Sequence, residues 1–283
     1  MTEWFTETLH EGVAQALTID KVRFRQRTDH QDLIIFENRV HGRVLALDGV
    51  VQVTTGDEFV YHEMIAHVPL LAHGRARRVL IIGGGDGGTA RRCLCHPVDR
   101  VTMVEIDRSV VDLCCTHMPE VGAQAFDDPR LDLVIADGAA YVAETDERFD
   151  VIIIDSTDPI GPGQVLFTPA FYAACHRCLT PGGILVNQAG VPALQGSELT
   201  AVTRALRTSF ADVWAYTAVV PTYYGGIMTL GWASDDPGAR HVDRATLAAR
   251  AEEAGIVGRY YSPAVHVASF ALPPWVEALI TAG

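Results

Sequence analysis

The sequence predicts an α/β fold: an open, mostly parallel sheet covered by helices on both faces and preceded by a small antiparallel β-domain. Three observations lead there. From residue 78 onward, short and nearly continuous apolar runs alternate with helical stretches, the pattern of strands buried on both faces. The first run, Arg78-Val-Leu-Ile-Ile82, feeds straight into the glycine-rich loop Gly83-Gly-Gly-Asp-Gly-Gly88. Residues 1–60 lack this rhythm and read as short strands separated by turn signals.

Taken in order, Val22-Arg-Phe-Arg25 alternates, and Asp32–Glu37 and Arg43–Leu47 are short apolar runs. Asp48-Gly49 is a turn signal ahead of Val50–Val53, which completes a small antiparallel sheet. Apolar and polar residues then recur at helical spacing from Glu58 to about Leu71. The strands of the main sheet are expected at 78–82, 101–105, 131–136, 149–154 and 184–188, with helices between them. The stretch from Asp212 to Trp232 reads as two further strands joined near Gly225-Gly226, an antiparallel edge. The domain boundary is expected at residue 60, with the larger domain over 61–283.

Bulk properties exclude several functions. The chain has 283 residues, 48% hydrophobic and 20% charged, enough for a sizeable core. Its net charge of −13 offers no basic face for nucleic acid. Met1-Thr-Glu-Trp-Phe5 has none of the marks of a secretory leader, and no apolar run approaches the ~20 residues of a membrane helix. A cytoplasmic protein with no membrane partner is the expectation. The six cysteines include one Cys-x-x-Cys, Cys175 to Cys178, inside a helical stretch and without a second pair to complete a zinc site, so free thiols are expected. His62 and His67 resemble a zinc-protease pair at first glance. Five residues apart on a helix they diverge by roughly 140° and do not share a metal.

Ligands of an open α/β sheet gather at the carboxyl ends of its strands, and there the sequence is unusually acidic. Asp86 lies inside the glycine loop. A pyrophosphate-binding turn needs bare backbone N–H groups facing an anion, and a carboxylate in that place repels phosphate. The loop, with Gly83 and Gly85, therefore fits an adenosine cofactor without phosphate, preferably a cationic one. The second strand ends at Glu105-Ile-Asp107, about 20 residues on, where an acidic side chain accepts from ribose hydroxyls. The third ends at Asp137-Gly138, a short carboxylate suited to an adenine amino group. The fourth runs into Asp155-Ser-Thr-Asp158-Pro-Ile-Gly-Pro162. Two carboxylates three residues apart, with Asp86 nearby, make a negative pocket for an alkylammonium group. A metal site is the other reading, but no histidine lies close in sequence. The prolines and glycines of 159–163 stiffen a loop able to close over the pocket. Tyr61 and His62 are placed to face it from the preceding helix.

These residues carry a resemblance that covers nearly the whole chain. Thr28–Glu37, Leu47-Asp-Gly-Val-Val-Gln52, Asp57-Glu-Phe-Val-Tyr-His-Glu-Met64, the glycine loop, Asp155–Pro162 and Pro221-Thr-Tyr-Tyr-Gly-Gly-Ile-Met228 closely resemble the spermidine synthases, the polyamine aminopropyltransferases. The resemblance implies a methyltransferase-like Rossmann domain over 61–283 as the catalytic unit, and a homodimer or homotetramer. It implies transfer of the aminopropyl group of decarboxylated S-adenosylmethionine, as co-substrate, to putrescine, with no prosthetic group and no metal. By resemblance, Gln31, Glu105, Asp137, Gly138 and Pro162 hold the adenosine part and Asp86 the aminopropyl ammonium. Tyr61, His62, Asp158 and Tyr223 line the amine pocket with Ser156 and Thr157, and Asp155 is the base. The reacting amine is expected at Asp155 and Asp158, and the distal ammonium at His62 with the Glu63 region or bound water. Arg91-Arg92 departs from the family's frequent Arg-Glu, a matter of helix surface or packing. The nearest rivals are a methyltransferase using intact S-adenosylmethionine, whose carboxylate Asp86 would oppose, and a non-catalytic polyamine sensor, which would be expected to lack Asp155, Asp158 or Tyr61.

Overall fold

The computed structural model describes residues 2–28, 31–158 and 161–282, and the side chains of residues 161 and 162 fall outside that description. The N-terminal part forms two antiparallel sheets where one was expected. β1 (Glu3–His10) and β2 (Val13–Ile19) pair with each other around Glu11-Gly12, where Gly12 takes φ +78°. β3 (Lys21–Arg27), β4 (Asp32–Asn38), β5 (Gly42–Leu47) and β6 (Val50–Thr54) form a separate four-stranded sheet. Its two faces follow the period of 2. Ile34, Phe36, Val44 and Ala46 pack on Phe5 and Leu17 of the hairpin. Leu33, Ile35, Leu45 and Leu47 pack toward Val110, Cys114 and Met118 from later in the chain.

α1 (Glu58–His73) leads into the main sheet and is buried along almost its whole length. The sheet comprises β7 (Arg78–Gly83), β8 (Arg100–Glu105), β9 (Leu131–Ile135), β10 (Phe149–Asp155), β11 (Leu179–Gln188), β12 (Asp212–Ala218) and β13 (Met228–Ser234). The strand order is β12-β13-β11-β10-β7-β8-β9, with β12 and β13 antiparallel at the edge as the sequence indicates. β11 begins at Leu179, five residues before its expected start. Leu179 pairs with Phe149, and the register shifts between Phe149 and Val151 to absorb Pro181-Gly-Gly183. Between the strands run α2 (Gly88–Leu94), α3 (Arg108–His117), α4 (Pro119–Gly122), α5 (Gly138–Glu144), α6 (Pro169–Cys178) and α7 (Pro192–Leu206). The chain closes with α8 (Arg244–Glu253), α9 (Pro263–Ser269) and α10 (Pro274–Thr281).

Alternate strand residues supply opposite cores. Val79, Ile81, Val151 and Ile153 pack under α1 and α2, while Leu80, Ile82, Ile152 and Ile154 pack under α5, α6 and α7. The thiols are free; Cys93, Cys114, Cys175 and Cys178 are buried. No single helix among the described residues is long and apolar enough to cross a membrane.

The topology creates the site. β7 is followed to one side by β8 and β9, after which the chain crosses back to place β10 against the other side of β7. A crevice opens at such a switch point beyond the carboxyl ends of the strands. Gly83 ends β7 directly opposite Asp155, which ends β10. Gly83 takes φ +85°, and a Cβ there would lie 2.1 Å from the Asp155 carbonyl oxygen, so glycine is required where the two strand ends pass.

Candidate active site

A cavity of about 630 Å³ fills this crevice and reaches under the N-terminal hairpin. Gln31, Tyr61, His62, Gly83, Gly85, Asp86, Glu105, Asp137, Gly138, Asp155, Ser156, Thr157, Asp158 and Tyr223 all line it. Pro162 is the exception among the expected residues, because its side chain lies outside the described residues. So do Pro159 and Ile160 of the expected closing loop; residues 161–167 form a 3-10 segment.

At one end, β8 delivers Glu105, which is buried and accepts the Asp107 N–H at 2.9 Å. Burial raises its carboxyl to about 7 against the backbone N–H groups of Asp107 and Ile106 that favour the anion. Asp107 turns away from the cavity, caps α3 through Ser109 N–H, and accepts from Thr28 and Gln31, fixing the Gln31 side chain at the cavity wall. Asp137 caps α5, its Oδ1 accepting the N–H groups of Ala139 and Ala140 at 2.7 and 3.2 Å. This end of the cavity is thus walled by the ends of β7, β8 and β9.

The centre is a nest of carboxylates. Tyr61 donates to Asp155 Oδ1 at 2.7 Å, and Thr89 of α2 donates to Asp155 Oδ2 at 2.6 Å. Burial and the Asp86 carboxylate raise the Asp155 carboxyl, while His62 and these two donors pull it back down. The Tyr61 hydroxyl is pushed well above its usual range by burial and by Asp155, and so keeps its proton to donate. Asp86 Oδ1 accepts the Gly88 N–H at 2.7 Å, and its Oδ2 lies 3.5 Å from His62 Nε2. The other His62 nitrogen meets Glu58 at 2.8 Å. Burial disfavours the imidazolium, yet Asp86 and Glu58 hold its pKa up at about 10, so His62 is a cation at neutral pH. A Cβ on Gly88 would come within 2.1 Å of the His62 ring, so the loop can pass the imidazole only as glycine.

Arg91 and Arg92 acquire a definite place. Arg91 pairs with Glu58 at 2.8 Å, and Arg92 reaches Glu58 at 3.7 Å and Glu63 at 3.4 Å. They are packing residues behind His62, as expected, and compensate the buried carboxylate that orients it. Glu63 corrects the sequence reading. It is fully buried and accepts the backbone N–H groups of Arg259, Tyr260 and Tyr261 at 2.8 to 3.0 Å, away from the cavity. One step along α1 rotates the side chain by about 100° relative to His62. His67 likewise turns into the core and meets His96 at 2.9 Å. Among the described residues no group of three or more His, Cys, Asp or Glu is placed to hold a metal ion.

On the Asp158 side, Gln188 of β11 donates to Asp158 at 3.2 Å, and Tyr223 donates to the carbonyl of Gln52. Glu7 of the hairpin also lines the cavity there; it is buried, accepts the Val51 N–H at 2.9 Å, and is raised to about 7 by burial, with Asp158 adding to the rise. Glu7, Gln188, Glu58 and Thr89 are among the polar groups that sequence reasoning missed. For Glu7 one signal existed: an acidic residue in an alternating strand on the same face as Phe5.

Comparisons with known proteins place the whole chain in one family. A family model described as the spermine/spermidine synthase domain matches residues 58–244, and one described as the spermidine synthase tetramerisation domain matches residues 3–55. The polyamine aminopropyltransferase of Erwinia tasmaniensis is 56% identical over 275 residues, covering 97% of this chain and 96% of its own; that of a Ruegeria species is 55% identical, covering 98% of each. A crystal structure of spermidine synthase in complex with the transition state analogue AdoDATO superposes with a TM-score of 0.94 at 36% identity, covering 99% of this chain and 95% of that one. Spermidine synthase from Thermotoga maritima gives 0.90 at 34% identity, with the same coverage of each. The chain belongs to the spermine/spermidine synthase family and is an enzyme of the transferase class, a polyamine aminopropyltransferase.

Proposed function

We propose that the enzyme transfers the aminopropyl group of decarboxylated S-adenosylmethionine to putrescine, giving spermidine and methylthioadenosine. One observation carries this reading: a single cavity brings together Glu105, Gln31, Asp137 and Gly138 at one end, a carboxylate centre of Asp86, Asp155 and Asp158, and a further buried carboxylate, Glu7, beyond it. The relative solved with AdoDATO has this fold over nearly its full length. In this reading Asp86 receives the aminopropyl ammonium, Glu105 the ribose hydroxyls, and Asp158 with Glu7 the distal ammonium of the diamine. Tyr223 and Tyr61, with ring centroids 6.0 Å apart, form the wall along the methylene chain.

The chemistry asks little of the leaving group. A sulfonium makes the adjacent carbon electrophilic, and the carbon–sulfur bond breaks to release a neutral thioether, so neither metal nor redox cofactor is needed. The enzyme must supply a neutral amine in line with that bond. Putrescine amines, with a pKa near ~10 like that of lysine, arrive protonated. Asp155, which ends β10 opposite the glycine loop, takes a proton from the bound ammonium, and the freed nitrogen lone pair then attacks the carbon as the carbon–sulfur bond breaks. Burial and Asp86 raise its carboxyl and make it a stronger base. More of the substrate amine is neutral as pH climbs toward its own pKa, so the rate should rise from neutral into mildly alkaline pH.

The match to a tetramerisation domain supports a homo-oligomer, a dimer or tetramer, with 1–60 as the associating β-domain and 61–283 as the catalytic one. A cytoplasmic location is part of the same proposal. The test is product identification with the purified enzyme, decarboxylated cofactor and a panel of putrescine, cadaverine, agmatine and spermidine. Putrescine should show the highest kcat/KM and cadaverine a value roughly 10–200-fold lower for one added methylene. A kcat/KM for spermidine or agmatine at or above that for putrescine would overturn the acceptor assignment and leave the aminopropyl chemistry standing.

A further inference from the structure

We propose that Thr89 is a positioning residue for the reaction: from the first turn of α2 its hydroxyl fixes the Asp155 carboxylate, so that the glycine loop that receives the co-substrate also aims the base. The inference rests on Asp155 acting as base. Thr89 itself does not line the cavity and is wholly buried. Its Oγ1 donates to Asp155 Oδ2 at 2.6 Å, while Tyr61 donates to Oδ1 at 2.7 Å. A carboxylate with a donor on each oxygen cannot rotate about its last bond without losing both. Tyr61 approaches from α1 and Thr89 from α2, so the carboxylate plane is set by two elements that pack against each other.

The backbone makes the same connection. Gly84 N–H donates to the Asp155 carbonyl at 2.8 Å, and Gly83 faces Asp155 in register. Asp86, three residues before Thr89, faces the cavity. A short stretch from Gly83 to Thr89 thus touches Asp155 at its carbonyl and its carboxylate while presenting Asp86 to the co-substrate. Any movement of this stretch would reach Asp155 at both points, which couples the order of the loop to the orientation of the base. Hydroxyl donation also stabilises the carboxylate anion, so Thr89 restrains the basicity that burial promotes. Other titratable groups facing Asp155 are Tyr61 and His62 of α1, Asp86 of the loop, Glu105 at the end of β8, Cys93 on the buried side of α2, and Tyr223 before β13.

The experiment compares Thr89→Val, which removes the hydroxyl at similar shape, with Thr89→Ser, which keeps it. Thr89→Val should lower kcat about 10- to 100-fold, leave the KM of both substrates within about threefold, and move the acid limb of the kcat/KM profile up by about one pH unit, the size of one hydrogen bond to a charged group. Thr89→Ser should restore both readouts. Should Thr89→Val fail to fold, Thr89→Ala against Thr89→Ser gives the same contrast of hydroxyl present or absent. Equal impairment of the Ser variant and the hydroxyl-free variant would reduce Thr89 to packing and overturn the proposal, as would a wild-type kcat and acid limb without the hydroxyl. Asp155→Asn separates the two claims: if it alone keeps full activity, the base assignment fails. If it is impaired and Thr89→Val lowers its residual rate by as much as it lowers that of the wild type, Thr89 does not act through Asp155.

Discussion

Asp86 stands between a cation of the protein and a proposed cation of the ligand. One oxygen is held by the Gly88 N–H and the other faces the His62 imidazolium, so the carboxylate is fixed before any ligand arrives. In the proposed reading its charge attracts the aminopropyl ammonium and repels the carboxylate that intact S-adenosylmethionine carries. Asp86→Asn should lower the ratio of affinities for the decarboxylated over the intact compound by roughly 10–100-fold, the worth of one charge-assisted bond. Calorimetry on both compounds reads this directly, and an unchanged ratio would place selection elsewhere. Asp86 was legible in the sequence because a carboxylate in a glycine loop is chemically odd. Thr89 was not, because nothing local marks it: its partner is 66 residues away, and only the parallel pairing of β7 with β10 brings the two together. Glu63 shows the converse error. It is next to His62 in sequence, and the roughly 100° step of a helix turns it away from the cavity.

The element that decides most is α1. Its first turn carries Glu58, Tyr61 and His62, and the pairing of Glu58 with His62 follows from their i, i+4 spacing. Buried ions of this kind are expensive to break, at about 3–5 kcal/mol when one partner is removed. Glu58 is held down to about 2 by His62, Arg91 and Arg92 against the upward push of burial, and His62 is held up at about 10. The lowered carboxyl contributes stability above its ordinary value of 4.5 and loses it as pH falls through about 2; the raised imidazole contributes fully below 6.5 and loses it as pH rises through about 10. Glu58→Gln should therefore lower the thermal midpoint most between about pH 4.5 and 6.5, with the deficit shrinking as pH passes 10. Thermal scans across pH 4–11 check it; no deficit at pH 5–6, or one that grows above pH 10, would contradict the network. The helix itself, β7, the glycine loop and the edge pair β12–β13 were legible from periodicity and turn chemistry. The partition of residues 3–54 into a hairpin and a four-stranded sheet was not, because alternation marks a strand and says nothing of which neighbour it pairs with.

At the scale of the whole molecule, the net charge of −13 and a cavity walled by carboxylates favour the approach of cations, as the proposed substrates are. Raising salt from ~0.02 to ~0.5 M should lower kcat/KM for putrescine by roughly 3–10-fold through screening, with kcat little changed. A kcat/KM indifferent to salt would show that steering contributes nothing. The cavity is also where the two parts of the chain meet. Glu7 comes from the hairpin and Gln52 from the four-stranded sheet, while Tyr223 reaches back from the edge of the main sheet. Asp57 at the start of α1 accepts from Thr54 and from Thr222, tying the small domain, the helix and the loop before β13 into one frame. At its centre is Asp155, held by β10, α1, the glycine loop and α2 together. The most direct measurement is therefore the single-turnover rate of Asp155→Asn with saturating decarboxylated cofactor and putrescine. The rate should fall by about 10²–10⁴ while the affinity for the cofactor stays within about threefold; a rate within about threefold of the wild type would contradict the assignment of Asp155 as the base.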